Sequence, residues 1–136
     1  MNFTLVDTNV LLDIVTDDPK WAAWSLWQLD LVVAGGRLAI NDVIYAELSV
    51  RFDLIEQLDA VLDDFRAELL PIPRPALFLA AKAFNSYRQA GGGRTGVLPD
   101  FFIGAHAAVT QLPLLSRDAR RYRSYFPEVE LIAPDM

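Results

Sequence analysis

Asp7 closes the apolar run of FTLVDTN. Glu47 lies in NDVIYAEL, Asp100 in VLPDFFIGAHAAV and Asp118 in LLSRDARRY. Taken singly, each acid has an ordinary reading. Asp7 and Asp118 could cap helices, worth about 1 kcal/mol each. Asp100 could be an acid in a first helical turn. Glu47 could pair with Arg51 one turn on, worth roughly 0.3–0.5 kcal/mol, although its place beside Val43 and Ile44 suits that reading poorly. Brought to one place, the same carboxylates would repel one another and raise each other's pKa. A divalent cation relieves such repulsion, and ligands that are all oxygen favour Mg²⁺ or Mn²⁺ over zinc. The chain has no cysteine and one histidine, so disulfides and thiolate metal sites are excluded.

Positioning these acids requires elements that deliver them to a common edge. The pattern alternates short apolar runs with helical stretches. Strands are expected at Phe3–Val6, Leu38–Ile40, Leu69–Ile72, Leu114–Leu115 and Val129–Ile132. Helices are expected over Asn9–Thr16, Trp21–Ala34 (stopped by Gly35-Gly36), Asp42 to about Phe52, Asp53–Glu68, Pro75–Ala90, Pro99 to about Gln111, and from a cap at Asp118 to Tyr125. This alternation predicts one α/β domain over residues 1–136, with a mostly parallel central sheet covered on both faces. In such sheets ligands bind beyond the carboxyl ends of the strands. Asp7 and Asp118 follow strands directly and so share that edge. Glu47 and Asp100 reach it if their helices pack there.

The chain carries a net charge of −6, so bulk electrostatics would repel nucleic acid. Local cations are uneven, however: Arg117, Arg120, Arg121 and Arg123 fall in one segment around Asp118, and Arg94 sits in a glycine loop. Guanidinium forks suit phosphate, though a solvated helix face is the plainer reading. His106 lies six residues after Asp100, about 240° round a helix, and is expected to pack away from the acid. In WAAWSLWQLDLVV, one broad face holds Trp21, Trp24, Trp27 and Leu31 and a second holds Leu26, Leu29 and Val33. A helix apolar nearly all round is either deeply buried or docked to a partner. No apolar run approaches the roughly 18 residues of a membrane span, and no basic stretch precedes an apolar one at the N-terminus; the expectation is a cytoplasmic protein.

The ordered set LVDTNVLLD, YAEL, LPDFFIGAHA and LSRDARRY resembles the acidic motifs of the PIN domain over nearly the whole chain, and in size the VapC toxins of toxin–antitoxin pairs. The resemblance implies a three-layer α/β/α fold and a Mg²⁺- or Mn²⁺-dependent endoribonuclease, with Asp7, Glu47, Asp100 and Asp118 as metal-binding catalytic carboxylates. It further implies Asn9 and Ser116 as residues orienting the first Asp, where Ser116 replaces the more usual Thr. Arg117, Arg120 and Arg121 become candidates for RNA phosphate. A VapB-like antitoxin and a homodimer are the partners implied. The same fold could serve RNA processing without an antitoxin, or a non-catalytic binding module, against which four intact acids speak. A haloacid-dehalogenase phosphatase also sets an Asp after its first strand, but has a second Asp two residues on, where Asn9 stands here.

Overall fold

A computed structural model of the chain describes residues 2–94 and 96–134. The elements are β1 (Phe3–Val6), α1 (Thr8–Val15), α2 (Ala22–Gly35), β2 (Arg37–Ile40), α3 (Asp42–Ser49), α4 (Ile55–Asp64), β3 (Glu68–Leu69), α5 (Arg74–Gln89), α6 (Leu98–Thr110), β4 (Leu114–Leu115), α7 (Arg120–Tyr125) and β5 (Leu131–Ile132). The sheet order is β3-β2-β1-β4-β5 and every pairing is parallel. The three-layer α/β/α expectation therefore holds. Short apolar strands suit a sheet buried on both faces. Leu5, Val6, Leu38, Ala39, Ile40, Leu114 and Leu115 are all buried.

β1 is the central strand. Its pairings set Leu5 beside Leu114 and Val6 beside Leu115, so the residues that follow, Asp7 and Ser116, emerge side by side. α3 packs on α1 and on α6, which brings the helices carrying Glu47 and Asp100 to the same end. A buried polar tie fixes that contact. Asn41 Oδ1 accepts from the Ile44 amide, while its Nδ2 lies 3.0 Å from His106 Nδ1. With Oδ1 already accepting, Nδ2 donates and the imidazole accepts. His106 is thus packed away from the acids, as expected, but with a polar partner.

Several boundaries differ from the sequence reading for identifiable reasons. Asn41, not Asp42, caps α3, because its side chain reaches the third amide. The helix expected over Asp53–Glu68 spans only Ile55–Asp64: Arg66 adopts a left-handed φ of 55°, turning the chain into β3. β3 itself is only Glu68–Leu69, although the Leu70 amide still bonds to Ile40 O at 2.8 Å. Pro71 has no N–H with which to extend the ladder. Asp118 caps nothing; α7 starts at Arg120 after Ala119. Gly36 ends α2 by close approach rather than left-handed geometry. Its backbone is extended, and a Cβ there would lie 2.2 Å from the Asn2 carbonyl oxygen.

Candidate metal centre

Asp7 is buried and nearly saturated with hydrogen bonds. Its Oδ1 accepts from the Thr8 amide at 2.8 Å, so it does cap α1. Its Oδ2 accepts from Ser116 Oγ at 2.8 Å and Tyr122 Oη at 2.8 Å, with Asn9 Nδ2 at 3.4 Å. Those donors favour the carboxylate, yet burial outweighs them and, with Asp100 adding repulsion, pushes the pKa up to about 7. Glu47 accepts from Thr8 Oγ1 at 2.5 Å rather than pairing with Arg51. Its pKa is raised by burial, eased by Thr8, and raised again by Asp100. Asp100 receives Arg121 Nη1 at 2.5 Å. Burial raises its pKa, Arg121 opposes the rise, and Asp118 adds to it. Asp100 therefore feels the charge of each of the other three acids.

Whether these residues fit a hard divalent cation follows from that arrangement. The donors are oxygen throughout, and their repulsion has no relief from cysteine or histidine. Among the described residues, no three acidic or imidazole groups close around a single point in this conformation. Two of the four acids are instead engaged by side chains, Glu47 by Thr8 and Asp100 by Arg121. In kind the set fits Mg²⁺ or Mn²⁺, provided those contacts give way. Asp7 Oδ2 is fully occupied, so Oδ1 is the oxygen with capacity left.

The remaining expected residues fall into distinct places. Asn9 bridges Asp7 and Ser116, and its Oδ1 accepts from the Arg117 amide at 3.2 Å. Ser116 Oγ also receives the Asp118 amide at 3.1 Å. Arg117 is drawn away from the acids: its Nε bonds both oxygens of buried Asp13, at 3.0 and 2.8 Å, and its guanidinium lies over Trp21. Arg120 is exposed and Arg121 half-buried on Asp100. Sequence reasoning missed Tyr122, Thr8 and Asp13. The stripe Ala119, Tyr122, Phe126 was legible as a buried helical period, but nothing local says that the Tyr122 hydroxyl meets Asp7.

The PIN domain family profile matches residues 4–127. No curated protein sequence matches. Among solved structures the chain is similar to one in VapBC2 from Rickettsia felis bound to a DNA fragment from its promoter, with TM-score 0.72 and 20% identity, covering 98% of this chain and 99% of that one. DNA-bound VapBC from Salmonella typhimurium gives 0.71 and 19%, covering 98% of each chain. VapBC-1 from nontypeable Haemophilus influenzae gives 0.69 and 20%, covering 96% of this chain and 97% of that one.

Proposed function

This chain belongs to the PIN domain family, and from that premise we propose that it is a Mg²⁺- or Mn²⁺-dependent endoribonuclease acting as the VapC-type toxin of a toxin–antitoxin pair. The observation that carries the reading is the mutual electrostatics of Asp7, Glu47, Asp100 and Asp118 beyond the carboxyl ends of β1 and β4. Such a cluster is unfavourable in an acidic chain unless a cation is meant to sit there.

Asp7 Oδ1, Glu47, Asp100 and Asp118 would hold the ion. When bound, it supplies a more acidic water and stabilises charge on the phosphodiester oxygens. The chain's own residues do the rest. Ser116, Tyr122 and Asn9 keep Asp7 from rotating, which preorganises the site. Glu47 exchanges its Thr8 contact for the site. Arg121, released from Asp100, has the charge and fork geometry to take a phosphate. Arg120 stands exposed beside it. No nucleophilic side chain is required.

An antitoxin and a second copy of the chain are the proposed partners. Supporting this, α2 leaves Leu26, Trp27, Leu31 and Val33 exposed. Among the described residues no helix is long and apolar enough to cross a membrane. The test is to co-purify the chain with the product of the adjacent reading frame, then to map RNA ends produced by the freed chain with Mg²⁺. Capture of a small DNA-binding protein and discrete metal-dependent ends are expected. Metal-dependent cleavage without any such partner would leave an RNA-processing enzyme.

A further inference from the structure

A cavity of about 260 Å³ opens beside Asp118, lined by Tyr87, Arg94, Arg120, Ser124 and Tyr125, with Arg121 at its inner wall. We propose that this cavity is a subsite for one nucleotide of single-stranded RNA flanking the scissile bond, its phosphate on Arg94 and Arg120 and its base against the tyrosine pair. The inference rests on the ribonuclease reading and adds to it the part of the substrate that the cavity grips.

The cations come first. In a chain of net charge −6, three guanidiniums around one cavity are a local exception. Arg121 is tied to Asp100. Among the described residues neither Arg94 nor Arg120 is in an ion pair. Both therefore keep their charge available to a phosphate that enters beside Asp118.

The aromatic wall is built rather than incidental. Tyr87 and Tyr125 meet edge to face with centroids 6.0 Å apart, and both rest on Phe101. Tyr87 Oη accepts from the Arg94 amide at 3.3 Å, which ties the loop carrying Arg94 to this wall. Gly92 permits the close passage: a Cβ there would lie 2.5 Å from the Tyr87 ring. Rings and guanidiniums in one pocket are what an unstacked base and its phosphate use. Duplex RNA presents no free base face and is too bulky for a cavity of this size. An acidic peptide would satisfy the arginines but make no specific use of the rings.

The test is anisotropy with a fluorescein-labelled mixed-sequence single-stranded 12-mer RNA, its duplex, and a labelled oligoglutamate, all in EDTA and across a salt series. Single-stranded RNA is expected to bind best. Arg94→Gln with Arg120→Gln should weaken it and reduce the salt slope by about 1.4, from roughly 0.7 per lost phosphate contact. Tyr125→Leu should weaken binding roughly 5- to 150-fold through lost stacking, and Tyr125→Phe should restore it. Calorimetry should find Mn²⁺ binding no weaker in the arginine variant. A wild-type slope and affinity in the arginine variant, equal binding of duplex, or preference for oligoglutamate would each overturn the subsite. Should metal-dependent cleavage persist in that case, only the subsite falls. A wild-type chain that neither binds nor cuts RNA would remove the ribonuclease reading as well.

Discussion

At the scale of single residues, Asp7 carries the sharpest conflict, an acid whose donors favour charge while its burial opposes it. Its folded pKa, about 7, exceeds its ordinary value of 3.8. The metal-free fold therefore binds a proton that the unfolded chain has released, and stability falls as pH rises from about 4 to 7. Glu47 and Asp100 shift in the same direction and add to that slope. Asp7→Asn should lose most activity, yet melt without metal at a temperature equal to or above the parent's near neutral pH, with a flatter pH profile. Strong destabilisation there would make Asp7 a structural residue. Tyr122→Phe keeps the ring and loses only the bond to Asp7. We expect it to fold normally by circular dichroism and to bind Mn²⁺ roughly 10- to 100-fold more weakly by calorimetry; unchanged affinity would mean that the phenol merely fills space. The acids themselves were legible because each sits in a short motif. Tyr122 was not, because only the β1–β4 pairing, which brings distant parts of the chain together, makes its hydroxyl meaningful.

At the scale of elements, the segment from Ser116 to Asp118 is held from beneath. Ser25 Oγ donates to Asp13 Oδ2 at 2.9 Å and Arg117 bonds the same carboxylate, so α1, α2 and the loop after β4 share one strut. Asp13→Ala would leave the fully buried Ser25 hydroxyl without its acceptor, at a cost of about 1–3 kcal/mol. Denaturant titration should read that loss, and cleavage should fall with it. A variant as stable and active as the parent would show the strut to be dispensable. The alternation of strands and helices was readable from apolar runs and glycine stops. Short-range chemistry fixed the boundaries that were not: the reach of Asn41 to the Ile44 amide, and the left-handed turn at Arg66. The faces of α2 also divide differently from the sequence reading. Ser25 and Leu29 point inward, Trp21 and Trp24 are half-buried, and Trp27 and Leu31 face out.

At the scale of the whole molecule, the high apolar content has two destinations, a filled core and an exposed strip. Trp27 is 61% exposed, beside Leu31 at 52%. Aromatic anchors of that kind dominate protein interfaces. Trp27→Ala should change the stability of the isolated chain by no more than about 0.5 kcal/mol and yet weaken association with the partner. Intrinsic fluorescence of the parent should shift to the blue on binding. No shift, with association unchanged, would leave the strip as bare surface. The central claim is that four carboxylates gather a divalent cation to cut RNA. Its most direct test follows cleavage of one RNA by the purified chain in EDTA, then after adding excess Mg²⁺ or Mn²⁺, with Asp7→Asn beside it. The parent should be silent in chelator and active once metal is restored, while Asp7→Asn stays largely inactive in both. Full cleavage in chelator, or parent-like cleavage by Asp7→Asn, would contradict the account.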